Sequence, residues 1–101
     1  MTENITIGRT DTDLQVARPR LHKVILLNDD FTPRGFVVKI LKREFRLGAE
    51  KARQVMNTAH QRGACVVGVF TQDIAETKAT NAVDAARKEG YPLLFTTEPE
   101  E

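Results

Sequence analysis

Apolar and polar positions alternate along this chain with two periods, and the change from one to the other marks out the elements. Leu21 to Leu27 (Leu-His-Lys-Val-Ile-Leu-Leu) is a compact, β-branched apolar run closed by the polar cluster Asn28-Asp29-Asp30. It predicts a strand with both faces largely covered. From Phe36 the period lengthens. Phe36, Val37, Ile40, Leu41, Glu44 and Phe45 fall on one side of a helix, and Lys39, Lys42, Arg43 and Arg46 on the other. Thr32-Pro33 predicts the start of that helix, with Thr32 as the capping side chain and Pro33 at the first helical position, where no amide hydrogen is needed. Gly48 interrupts the pattern, and a second helix from about Ala49 to Gln61 gathers Ala52, Val55, Met56 and Ala59 on one face before Gly63 stops it.

Ala64 to Phe70 returns to β-branched residues and predicts a second strand. Thr71 follows as a candidate N-cap, and Asp73 and Glu76 sit near the positive end of a third helix that runs to about Glu89. The apolar stripe of that helix is small (Ala75, Ala79, Ala82, Val83, Ala86), which lets it lie close to a sheet, and Gly90 ends it. Tyr91-Pro92 opens a last strand over Leu93 to Thr97, with proline at an edge. The order β-α-α-β-α-β predicts an α+β fold, a three-stranded sheet covered on one face by three helices. Residues 1 to 20 carry isolated apolar positions without a period and are expected to form a flexible N-terminal arm, leaving residues 21 to 101 as one domain.

Composition fits that reading. The chain has 101 residues, 41% hydrophobic and 29% charged, and no apolar stretch near the roughly 18 residues of a spanning helix. The first residues lack the basic and apolar regions of an export signal, and a single cysteine, Cys65, suits a reducing compartment, so a cytoplasmic protein is expected. Charge is unevenly placed: residues 34 to 62 hold eight Lys/Arg against two Glu, and residues 63 to 101 hold three against seven Asp/Glu. The basic middle is ordinarily a solvated helix face, with RNA binding or a structural interaction role through the face of the first helix as the alternative.

Catalytic groups are scarce. There is no serine, Cys65 falls inside a predicted strand, and His22 and His60 are the sole candidate bases near neutral pH. No close set of metal ligands and no Gly-rich phosphate loop is present, so neither an enzyme nor a cofactor is expected. The unusual place is Asn28-Asp29-Asp30. Read as local chemistry it is a turn. Three converging acceptors also suit an alkylammonium, which has three N–H donors and no acceptor, and charge-assisted bonds of that kind are strong. His60 lies one helical turn after Met56 on the same face, so an imidazole and an adaptable thioether border one cleft if the second helix packs near the end of the first strand.

Val24 to Pro33 (Val-Ile-Leu-Leu-Asn-Asp-Asp-Phe-Thr-Pro), Met56 and His60, Gly68-Val69-Phe70-Thr71, Ala75-Glu76-Thr77-Lys78 and Tyr91-Pro92-Leu93-Leu94 together resemble the ClpS adaptors of the bacterial N-end rule, in register over roughly residues 21 to 97. The resemblance implies a non-catalytic adaptor that takes proteins with Leu, Phe, Tyr or Trp at a free amino terminus and brings them to the ClpA unfoldase of the ClpAP protease. It implies that residues matching Asn28, Asp29 and His60 hold the α-ammonium with Asp30 supporting the rim. Leu26, Thr32, Val37, Met56 and Leu93 would line the pocket for the first side chain, and the region from Asp73 through Glu76 and Thr77 to Lys78 would meet the N-terminal domain of ClpA. No membrane and no nucleic acid enter that scheme. Two positions at the pocket depart from the family pattern: Arg34 stands where methionine is frequent, and Ala59 where a bulkier apolar residue is frequent. Arg34 is expected either to lay its stem along the pocket mouth or to point into solvent. Asp73 replaces a frequent glutamate and keeps its charge.

Overall fold

The computed structural model describes residues 20 to 100. Its elements follow in the order β1 (Leu21–Leu27), α1 (Arg34–Phe45), α2 (Ala49–Arg62), β2 (Ala64–Thr71), α3 (Gln72–Lys88) and β3 (Leu94–Pro99). The expected arm falls almost wholly outside the described residues. β1 is the central strand of an antiparallel sheet with the order β2-β1-β3. The helices lie on one face of it, giving one sheet layer and one helical layer.

Pairing fixes which side chains meet the helices. His22, Val24 and Leu26 of β1 point inward, where Leu26 opposes Cys65 on one side and Phe95 on the other. The alternating residues Leu21, Lys23, Ile25 and Leu27 point to the open face and stay partly exposed. The expectation of two covered faces for β1 is therefore corrected. The outward positions are apolar because Ile25 pairs with Val66 and Leu27 with Leu94 across the strands, and such cross-strand pairs stabilise a half-exposed sheet without a second layer. Lys23 makes an ion pair with Glu98 on the same face at 3.7 Å.

The core lies between sheet and helices. Val24, Leu26, Ile40, Leu41 and Val55 are its largest fully buried side chains. Ala75, Ala79, Ala82 and Ala86 are buried along α3 as their spacing predicts, and their small size brings that helix down onto the sheet. Phe45 of α1 packs on Phe95 of β3 at 5.2 Å between ring centres. Register in β2 slips by one residue opposite Val24 and Ile25. Gly68 beside that slip has no side chain, and the Phe70 ring folds back over it, so a β-carbon there would sit 2.9 Å from the ring.

Helix ends differ from expectation in one instructive place. The residue before α1 is Pro33, whose carbonyl accepts from the amides of Phe36 and Val37, and no side chain caps the helix. Thr32 does not cap it because the cap position falls one residue later, on Pro33, and the Thr32 hydroxyl donates instead to Asp29. Thr71 does precede α3, again without a side-chain cap bond. The last strand starts one residue later than expected and ends at Pro99, because Leu93 turns inward and is buried before the ladder begins. A proline at the end of an edge strand breaks no needed bond.

Candidate functional site

A cavity of about 270 Å³ opens where the end of β1, the start of α1, the end of α2 and Leu93 converge. It is near the lower limit of small-molecule sites, about 300–1,000 Å³. Such a space suits one side chain. Its floor is apolar: Leu26, Val37, Ala59 and Leu93 are buried, and Met56 is half-buried. Phe36 packs against Tyr91 with ring centres 4.7 Å apart and planes tilted by 57°, which holds the first turn of α1 beside the segment that carries Leu93.

The mouth is polar. Asn28 and Asp30 are exposed there, Asp29 is half-buried, and His60 comes from the last turn of α2. Two backbone features bring these groups together. The amide of Asn28 donates to the carbonyl of Gly63 at 3.0 Å, tying the end of β1 to the end of α2. Gly63 adopts φ 93°, a left-handed conformation that closes α2 and that side chains disfavour.

Asp29 shapes the turn itself. Its Oδ1 accepts from the amides of Phe31 and Thr32, both at 2.8 Å, and its Oδ2 accepts from the Thr32 hydroxyl at 2.9 Å. Buried Thr32 is thereby fixed with its hydroxyl turned to the carboxylate, and the carboxylate is fixed at the mouth. Carboxylate oxygens carry about four lone-pair sites between them, so acceptor capacity remains after these three bonds. Arg34 occupies the opposite lip. Its Nη2 lies 2.6 Å from Nε2 of His60. Arginine has no acceptor, so the guanidinium donates and the imidazole nitrogen accepts.

The structure thus gathers Leu26, Asn28, Asp29, Asp30, Thr32, Arg34, Val37, Met56, Ala59, His60 and Leu93 around one cavity, and adds Leu27, Phe31 and Pro33. Phe31 is 81% exposed at the lip, the most solvent-open of the large apolar side chains described. Its place in the Asn-Asp-Asp-Phe turn was visible in the sequence, but its outward direction follows from its amide being held by Asp29. Asp73, Glu76, Thr77 and Lys78 lie elsewhere, on the N-terminal half of α3: Asp73, Thr77 and Lys78 line a shallow groove with exposed Ile74, and Glu76 lines a separate groove beside β3. Glu76 accepts from Gln72 at 3.2 Å. Lys78 is half-buried, donates to the carbonyl of Glu44 at 3.2 Å and lies 5.6 Å from the centre of the Phe70 ring. Among the described residues no three His, Cys, Asp or Glu come together as a metal site, and no helix is long and apolar enough to cross a membrane.

The family model of the ATP-dependent Clp protease adaptor protein ClpS matches residues 17–96. The chain is 70% identical to the ATP-dependent Clp protease adapter protein ClpS 1 of Rhodopseudomonas palustris over 88 residues, 87% of this chain and 85% of that one. It is 63% identical to ClpS 1 of Bradyrhizobium diazoefficiens over the full length of both. Among solved structures, Agrobacterium tumefaciens ClpS2 bound to L-phenylalaninamide superposes with a TM-score of 0.81 at 57% identity, covering 82% of this chain and all of that one. Sequence motifs, strand order and full-length identity agree, and the chain belongs to the ClpS family of Clp protease adaptors.

Proposed function

We infer that this protein is a non-catalytic adaptor that captures polypeptides by a large hydrophobic N-terminal residue, Leu, Phe, Tyr or Trp, and delivers them to the ClpA unfoldase of the ClpAP protease. The observation that carries this reading is one cavity, sized for a single side chain, with an apolar floor and a mouth of Asn28, Asp29, Asp30 and His60. The α-ammonium donates to Asn28 Oδ1, to the Asp29 carboxylate and to His60 Nε2, with Asp30 adding negative charge at the rim. The first side chain fills the space over Leu26, Val37, Met56, Ala59 and Leu93, with Thr32 and the Arg34 stem at its edge. Burying an aromatic or branched side chain there stabilises the complex by about 1.5–3 kcal/mol, which alanine cannot match. L-Phenylalaninamide, the ligand of the Agrobacterium protein, carries both elements, a free α-amine and a benzyl group. Delivery would use the surface of Asp73, Glu76, Thr77 and Lys78, apart from the cavity.

Fluorescence anisotropy tests the capture step with three labelled peptides: one beginning with Phe, the same peptide N-acetylated, and one beginning with Ala. Binding of the first alone is expected. Equal binding of all three, or of none, removes the ammonium site.

A further inference from the structure

Arg34 and the incoming amine need the same atom. A neutral imidazole presents one acceptor nitrogen, and in this structure the Arg34 guanidinium is already bonded to it at 2.6 Å. Two cations cannot share that single lone pair, and they repel at such a separation. Resting on the adaptor reading above, we propose that Arg34 is a specificity-determining residue: it gives up His60 to the substrate's α-ammonium and then reads the charge of the second residue, favouring an acidic side chain there and disfavouring a basic one.

The geometry supplies both halves of this exchange. Arg34 is the first residue of α1 and is exposed, so its stem can swing without disturbing the core. The cavity holds one side chain, and the rest of the peptide must leave across the mouth where Arg34 sits. Consecutive α-carbons are about 3.8 Å apart, which keeps the second side chain within reach of a long arginine displaced from His60. A carboxylate there offers the displaced guanidinium a bidentate partner, so the bond lost to His60 is replaced. A lysine there offers only repulsion. The other charges at the mouth are Asp29 and Asp30. Asp29 is already engaged by the turn, and both aspartates favour a basic second residue, so Arg34 reverses the preference that the rest of the mouth would set.

The test compares labelled peptides beginning Phe-Glu, Phe-Ala and Phe-Lys on the wild-type protein and on Arg34→Met, at low and high salt. Because the first residue is constant, the ratio of the Phe-Glu and Phe-Lys affinities reports on the second position and is insensitive to pocket shape. Wild type is expected to favour Phe-Glu over Phe-Lys by roughly fivefold at low salt, the scale of exposed charge pairs, with the ratio shrinking as salt rises. In Arg34→Met the order is expected to invert, and Phe-Ala to bind roughly threefold tighter because His60 is free. An unchanged ratio in the variant, or no gain for Phe-Ala, overturns the proposal. Loss of all Phe-peptide binding in both proteins is a different result, which removes the adaptor reading itself.

Discussion

Asp29 holds the turn at the mouth, and on the proposed reading the same carboxylate also receives the ligand's ammonium. Its three accepted bonds hold the turn, so Asp29→Ala leaves the amides of Phe31 and Thr32 and the Thr32 hydroxyl without their partner. That variant is expected to lose about 1–3 kcal/mol of stability as well as ligand binding. Asp29→Asn separates the two roles, because its carbonyl oxygen still accepts both amides and its amide faces a hydroxyl that can accept. It is expected to keep most of the stability by urea denaturation while its affinity for a Phe peptide falls, since the charge is gone. His60 is exposed and outside the core, so His60→Ala is expected to weaken the same peptide by at least about tenfold with the unfolding midpoint nearly unchanged. His22 is the opposite case. It is buried on the inner face of β1 and its Nδ1 has no hydrogen-bond partner. His22→Leu is expected to raise stability by about 1 kcal/mol in the same denaturation experiment and to leave peptide affinity as it was.

At the scale of elements, Gly63 links fold to site. It ends α2 in a left-handed conformation, and its carbonyl receives the Asn28 amide, so one residue sets where His60 stops and where Asn28 begins. Gly63→Ala is expected to cost about 1–2 kcal/mol by urea denaturation and to weaken Phe-peptide binding, although no Gly63 side chain exists to touch a ligand. This helix end was legible in the sequence because glycine after a periodic run has one strong structural meaning. So was the face of α3, where five small residues recur at helical spacing and four of them are fully packed. The covering of β1 was not legible. Ile25 and Leu27 are as apolar as Val24 and Leu26, and only the pairing partners reveal that they form a thin outward cluster. The same limit applies at the mouth. The Asn-Asp-Asp turn and His60 stood out by residue type, whereas the Arg34–His60 contact across 26 positions depends on packing that no local pattern encodes.

Across the whole molecule, the cavity and the α3 surface share no residue, so on the proposed reading a substrate and an unfoldase domain can be held at once. Delivery as proposed would act by tethering, which raises the effective concentration of substrate at the unfoldase without new contacts to the substrate. The basic residues of α1 and α2 are exposed and spread over both helices, which suits a solvated surface, and filter binding to RNA is expected to show none of the steep salt dependence of phosphate contacts. Within the α3 surface the four residues divide by environment. Asp73, Glu76 and Thr77 are exposed, whereas Lys78 is half-buried and holds the last turn of α1 through the carbonyl of Glu44. Lys78→Ala therefore confuses docking with stability, and the informative variant reverses charge at Glu76 and removes the Thr77 hydroxyl. Glu76→Lys with Thr77→Ala is expected to bind a Phe peptide with unaltered affinity by anisotropy, while ClpAP degrades a Phe-beginning reporter at close to its adaptor-free rate. Full degradation by that variant would move the delivery surface off this part of α3, with capture in the cavity unaffected.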